Sequence, residues 1–297
     1  MPGKREEPRE KRRRSKGCLV TLILLAAVLF WLPTELYLSN NAPRTEHITV
    51  RSSRLPAAFD GFRILHLSDL HEKGFGNGNE TLLRMARDAK PDVIAVTGDL
   101  IDSAEALYYA ETLLPALTSI APVYYVTGNH EWAADGKTAH AGRNRLITRL
   151  ETVVWDSGAV WLDSGYDTLE RGGERILLAG LCDPNGPRSE PNVHELRQRI
   201  DAEHGDSPFT VLLSHRHDLD YTGAGFDVVL TGHAHGGVVR LPFTDGLIGP
   251  DREWFPRGTS GVLSQGGVSV VVNRGLGDTY FPRFLNRPQV LVVTLSA

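Results

Sequence analysis

Five short polar stretches carry side chains with metal-binding chemistry. They are Asp69-Leu-His71, Gly98-Asp99-Leu-Ile-Asp102, Gly128-Asn129-His130-Glu131, Ser214-His215 and Gly232-His233-Ala-His235-Gly236-Gly237. As candidate ligands they offer the aspartates Asp69 and Asp99, one asparagine and four histidines, with His130 beside the asparagine. Hard oxygen and borderline nitrogen donors of this kind suit two divalent cations. Two ions held close together need a ligand that bridges them, and a carboxylate suits that role. Asp99 is the expected bridge, because Gly98 lets the backbone turn tightly before it. Asp69 and His71 stand two residues apart, as do His233 and His235, so each pair can chelate just past a strand end. Asn129 adds a neutral carbonyl oxygen, and His215 completes the set. Any one stretch alone is a common turn; five in order, each after a strand, are not.

The elements that must position these side chains are legible around them. Four stretches follow an apolar, β-branched run, at Phe62–Leu67, Asp92–Val96, Val123–Val126 and Phe226–Leu230, and Ser214-His215 follows Phe209–Leu213. Runs of about five such residues read as buried strands. Ligands of open α/β sheets gather outside the carboxyl ends of their strands, and here each strand ends on Asp, His or Asn. Between the strands, helices are expected from Asn79 to near Lys90, from Ser103 to near Ile120, over Thr138–Glu151 and over Pro191–Glu203. Further strands are expected at His47–Val50, Arg175–Ala179, Val238–Leu241, Val268–Asn273 and Val290–Leu295. This alternation predicts one α/β domain over residues 47–297. His66, inside the first of these runs, reads as a packed core histidine. Two cysteines exclude a disulfide framework, and Cys182 reads as a small buried residue.

The chain of 297 residues has a net charge of −4, unevenly spread. Eight of the 32 Lys/Arg and three of the 36 Asp/Glu lie in residues 1–17, which leaves 24 basic and 33 acidic residues, a balance of −9, for the remainder. An acidic body argues against nucleic acid as a main partner, because binding phosphate backbone needs basic surface. The basic leader, 1–17, precedes an apolar segment at 18–38, about the length of one bilayer core. Trp31 and Tyr37 lie towards its far end, as an aromatic belt would, and the positive-inside rule places residues 1–17 in the cytoplasm and the main domain outside. The segment is expected to be a single-pass signal anchor in the cell membrane. A cleaved signal peptide is the alternative, and Leu38-Ser-Asn-Asn-Ala42 offers no clean small-x-small cleavage site. Residues 39–46 read as a linker.

In this order, Asp-x-His, Gly-Asp-x-x-Asp, Gly-Asn-His-Glu, His and Gly-His-x-His, the motifs resemble those of the calcineurin-like metallophosphoesterases over nearly all of residues 60–297. Leu67-Ser-Asp-Leu-His71, the stretch Gly232–Pro242 and the tail from Asn273 to Arg283 with Arg287-Pro288 look most like the membrane-anchored YaeI/YkuE-like bacterial branch. The resemblance implies a four-layer αββα sandwich of two mixed β-sheets flanked by helices. It also implies two divalent metal ions, Mn, Fe or Zn. The first would take Asp69, His71, Asp99 and His235; the second would take Asp99, Asn129, His215 and His233. A hydroxide bridging the ions would attack phosphorus in line, and His130 would serve the leaving oxygen. All seven ligand positions are filled. Val238 departs from the pattern, where a glutamine is expected after the glycine pair.

Other side chains are candidates for supporting roles. Asp102 either orients a ligand histidine or starts a helix. Arg216 and His217 adjoin His215 and either touch a phosphate or belong to a solvated loop. Trp254 and Phe255, in the stretch Asp245–Gly261, are expected to form an apolar rim above the metals. Arg274 and Arg283 read as structural salt bridges. The functional expectation is a membrane-anchored phosphodiesterase or phosphomonoesterase. One alternative is a hydrolase of a lipid-linked or nucleotide-lipid pyrophosphate, and a non-enzymatic alternative is a membrane-tethered, metal-dependent binding module.

Overall fold

Alternating apolar runs with few charges become central strands, and two sheets result. The computed structural model describes residues 10–140, 145–187, 190–205, 208–250 and 252–297. The strands are β1 (Arg44–Arg51), β2 (Arg63–Leu67), β3 (Val93–Thr97), β4 (Val123–Val126), β5 (Val160–Trp161), β6 (Tyr166–Arg171), β7 (Glu174–Gly180), β8 (Thr210–Leu213), β9 (Val228–Thr231), β10 (Gly261–Gln265), β11 (Val268–Val272) and β12 (Gln289–Ser296). One sheet has the order β1-β12-β2-β3-β4-β5 and the other β10-β11-β9-β8-β7-β6. Both are mixed: β2, β3, β4 and β5 run parallel while β12 is antiparallel to β2. In the second sheet β7, β8, β9 and β11 run parallel, with β6 and β10 antiparallel at the edges.

Helices cover the outer faces. They are α2 (Glu80–Ala89), α3 (Leu107–Thr118), α4 (Asn129–His140), α5 (Leu146–Asp156) and α6 (Val193–His204), preceded by α1 (Glu10–Asn41). The period-two alternation of strands buried on both faces sorts their side chains into two cores. In β3, Ile94 and Val96 face α2, α3 and α5, whereas Val93 and Ala95 face the second sheet. A third core packs Leu177, Leu212 and Val229 against Leu196 and Ile200 of α6. The result is the expected four-layer arrangement, helices, sheet, sheet, helix.

Several boundaries differ from expectation. The single helix predicted at 138–151 is two helices, and the first begins at Asn129 itself. Residues 141–144 between them lie outside the described residues. Val238–Leu241 is not a strand: Val238 has φ +50°, closing the turn at His235–Gly237, and only Val239 forms a β-bridge, to Phe284. Asn79 does not cap α2; its Oδ1 accepts from the Phe75 amide in the preceding loop. Residues 39–46 are hardly a linker, since α1 runs to Asn41 and β1 starts at Arg44. In its last turn Ser39 Oγ donates to Glu35 and Asn40 Nδ2 to the Leu36 carbonyl, and the same two side chains dock on the domain at Asn286 and Arg283.

Candidate metal centre

The carboxyl ends of β2, β3, β4, β8 and β9 converge, and the candidate ligands converge with them. Asp99 lies at the middle. Its Oδ2 is 3.2 Å from His215 Nε2, 3.8 Å from His71 Nε2 and 4.0 Å from His130 Nε2. On one side His215 Nε2 is 2.9 Å from Asn129 Oδ1 and 3.2 Å from His233 Nδ1. On the other, His235 Nε2 is 3.6 Å from Asp69 Oδ1, and the His235 ring stacks on His71. The donor atoms of Asp69, His71 and His235 form one tight group, and those of Asp99, His215 and His233 another. The seven candidate ligands lie together, and the donor atoms of His71, Asp102 and His130 form a third such group beside them.

The site tolerates metals better than it tolerates their absence. Asp99 Oδ2 and His71 Nε2 are buried and have no hydrogen-bond partner among the described residues. An unsatisfied buried polar atom costs stability, and a cation removes that cost. Backbone strain is concentrated here as well. Asp69, His71, Asp99, His233 and His235 all have φ between +46° and +64°, a region sparsely populated by residues with a side chain and typical of functional sites. Two glycines permit the approach of the loops. A Cβ at Gly128 would lie 2.2 Å from Asp99 Oδ1, and one at Gly232 would lie 1.8 Å from Ser68 Oγ.

Charge in the cluster is balanced within it. Burial lowers the affinity of His215 for a proton, but the charge of Asp99, with Oδ2 3.2 Å from Nε2, outweighs this and raises its pKa to about 10. Burial raises Asp99, and the opposing charge of His215 carries it well below the usual carboxylate range. His233 is the reverse case: burial, with the charges of His215 and Arg216, lowers it to about 2. His235 is likewise held neutral, first by burial and then by His71 and Arg283. Neutral imidazoles are ready ligands.

Around this cluster a second set of contacts fixes the orientation. Asp102 Oδ1 accepts from His71 Nδ1 at 2.6 Å and from His130 Nδ1 at 2.9 Å. Burial raises its pKa, but these two bonds hold it well below normal. His130, at the edge of the cluster, is raised to about 9: burial lowers it, and the bond to Asp102 more than compensates. His215 Nδ1 pairs with the Thr97 carbonyl. Glu131, quoted within its motif but given no role by sequence reasoning, is completely buried. It accepts from the amides of Gly128, Asp99 and Leu100 and from the Tyr125 hydroxyl. One carboxylate thereby ties the end of β3 to the start of α4. A signal for it was present: an acidic residue in the first turn of a helix complements its dipole, but the helix start was not recognised.

The cleft above the cluster has a volume of about 470 Å³. His71, Asp99, Asp102, Asn129, His130, His233 and His235 line it, with Asn185 and Arg216. Ile248, Pro250, Arg252, Thr279, Tyr280 and Phe281 complete its wall. Arg216 bonds Asp183 and approaches His233 Nε2 at 2.8 Å, so it is placed to meet a bound anion. His217 packs against the His233 ring outside the cleft lining. Trp254 and Phe255 are exposed and stand outside the lining too; Tyr280 and Phe281, which sequence reasoning missed, take the wall instead. His66 is a packed core histidine as expected, with Nε2 on Thr97 Oγ1. Arg274 pairs with Glu46, whereas Arg283 makes no carboxylate pair among the described residues. It is fully buried and donates to the carbonyls of Gly277, Arg274 and His235.

Candidate metal-binding groups gathered at the carboxyl ends of two facing sheets are the arrangement of a metal-dependent hydrolase. Comparison with known proteins gives the same class, for the family model described as calcineurin-like phosphoesterase matches residues 62–237. The chain belongs to the calcineurin-like phosphoesterase family. It is 32% identical to the uncharacterized metallophosphoesterase YkuE of Bacillus subtilis, over 85% of each chain. It is 27% identical to the phosphodiesterase YaeI of Escherichia coli, over 79% of this chain and 82% of that one. It is 25% identical to the UDP-2,3-diacylglucosamine pyrophosphatase LpxG of Chlamydia trachomatis, over 92% of this chain and 95% of that one. The chain is accordingly a metallophosphoesterase, an enzyme of phosphoester hydrolysis.

Proposed function

We propose that the chain is a membrane-anchored phosphohydrolase that works with two divalent cations. The observation that carries this reading is the position of Asp99 Oδ2, buried, without a hydrogen bond, 3.2 Å from His215 Nε2 in its own donor group and 3.8 Å from His71 Nε2 in the other. Asp69, His71, Asp99 and His235 would hold one cation, and Asp99, Asn129, His215 and His233 the other. Manganese, iron and zinc all suit these donors. When bound, the pair supplies a hydroxide near neutral pH and neutralises charge on the phosphoryl oxygens. The protein's own groups do the rest. His130, held through Nδ1 by Asp102, presents Nε2 towards Asp99 and donates a proton to the leaving oxygen. Arg216 binds a non-bridging phosphoryl oxygen from the side of His233.

The anchor is α1, whose stretch Gly17–Asn41 is long and apolar enough to cross a membrane. With residues 1–17 in the cytoplasm the catalytic domain lies outside, a reading supported by the basic flank through the positive-inside rule. Phosphodiester and phosphomonoester cleavage both fit the cleft. A lipid-linked pyrophosphate is the second reading, favoured by the aromatic wall of Tyr280 and Phe281. The test is turnover of bis-p-nitrophenyl phosphate and p-nitrophenyl phosphate by the full chain and by His130→Ala. A loss of about 100-fold or more in kcat with metal content unchanged is expected. Unaltered turnover in His130→Ala would remove the proton donor from this account.

A further inference from the structure

Exposed apolar side chains are concentrated in two segments of the chain. Outside α1 the described residues include eleven exposed large hydrophobic side chains, and seven of them lie in just two segments, 241–255 and 280–285. Phe243 is completely exposed, Tyr280 74% and Trp254 68%. A folded domain scatters such residues singly; a collection of this kind marks a contact surface. The two segments form one structure. Arg252 lies 5.0 Å over the Tyr280 ring, and Arg240 N donates to the Phe284 carbonyl. Together they build the wall of the metal cleft at Ile248–Pro250 and Thr279–Phe281.

The same segments meet α1. The Phe284 ring packs edge-on against Trp31 with centroids 5.8 Å apart, and Pro33, Leu36 and Tyr37 share a groove with Tyr280, Phe281 and Pro282. If Gly17 marks one face of the hydrocarbon core, a span of about 20 residues puts the other face near Tyr37. Trp31 then lies about 9 Å below that face, at 1.5 Å per residue. The Phe284 contact therefore draws the loop around it down to the level of the lipid.

We infer that Phe243, Trp254, Phe255, Tyr280, Phe281 and Leu285 form a second membrane contact, seated in the bilayer surface beside the exit of α1. Rings of this type are the ones favoured at the membrane–water boundary. Because the same segments form a wall of the cleft, the metal centre opens at the lipid surface. A phosphoester carried by a membrane amphiphile reaches it without leaving the bilayer. The inference rests on the reading of α1 as a membrane span.

The test uses the full chain with Cys18→Ser and the buried Cys182 retained, in phosphatidylcholine–phosphatidylglycerol vesicles. Single cysteines at Phe243, Phe255, Phe30 in α1 and Trp155 in α5 each carry an environment-sensitive fluorophore. Nitroxide-bearing lipid is then added as quencher. Loss of emission at positions 243, 255 and 30, with none at 155, is the expected result. Quenching at 30 but not at 243 or 255 would overturn the second contact and leave the anchor standing. Quenching at none of the four would overturn both.

Discussion

Asn40, in the last turn of α1, and Arg283 exchange two hydrogen bonds. Asn40 Nδ2 donates to the Arg283 carbonyl at 2.9 Å, and the Arg283 amide donates to Asn40 Oδ1 at 3.0 Å. The Arg283 guanidinium in turn holds the carbonyls of Arg274 and His235, and Asn286 Nδ2 donates to the His235 and Val238 carbonyls. Asn286 itself donates its amide to Ser39 Oγ. The end of the apolar helix thus braces the segment that supports the His235 turn.

Asn40→Ala removes both bonds at once and leaves the Arg283 backbone groups without partners. A loss of about 1–3 kcal/mol is expected, read as a lower urea midpoint for the full chain in detergent. An unchanged midpoint would mean that α1 merely adjoins the domain.

Glu131→Ala should be far more damaging. It strands four backbone amides, those of Asp99, Leu100, Ile101 and Gly128, and the Tyr125 hydroxyl in a buried pocket. Each buried donor left without a partner costs about 1–3 kcal/mol, so the variant should lose metal and fold poorly. Glu131→Gln keeps acceptor capacity on one oxygen and should retain the fold with reduced activity. Equal behaviour of the two variants, by circular dichroism and metal content, would contradict the role given to this carboxylate.

Much of this was legible because each candidate ligand stands at the carboxyl end of an apolar run. Strand periodicity and a following Asp, Asn or His are local signals, and β2, β3, β4, β8 and β9 announce themselves through them. The start of α4 was not legible, since Gly128-Asn129-His130 reads as a turn and has poor helix propensity. What draws it into a helix is partly tertiary, since Asp99 Oδ1 accepts the His130 amide, and partly a local bond in which Glu131 reaches back to the Gly128 amide. Val238 misled for a related reason. A β-branched residue suggests a strand, yet its φ of +50° is imposed by the turn that presents His235. The contacts of Arg283 with the His235 turn, 48 residues away in the chain, and of Asn40 with Arg283, 243 residues away, leave no local trace.

The pH response of the metal-free chain follows from His215. Its pKa rises from 6.5 to about 10 on folding, so its contribution is complete below about 6.5 and disappears as pH climbs through about 10. Both ring nitrogens face acceptors, the Thr97 carbonyl and Asn129 Oδ1, as a charged imidazole requires. A cation bound at Nε2 must displace that proton, so metal affinity should increase with pH over the same interval. Chelator-treated protein should lose stability between about pH 6.5 and 10, while metal-loaded protein should not. Parallel stability curves for the two forms would refute the charge assignment.

The central claim, that Asp99 joins two cations into one catalytic centre, is tested most directly by metal stoichiometry. Elemental analysis of the full chain and of Asp99→Ala, with bis-p-nitrophenyl phosphate turnover measured on the same samples, gives the answer. The account predicts two metal ions and turnover in the wild type, and loss of both metals with turnover in Asp99→Ala. An Asp99→Ala protein that keeps two ions and hydrolyses the diester at the wild-type rate would contradict it.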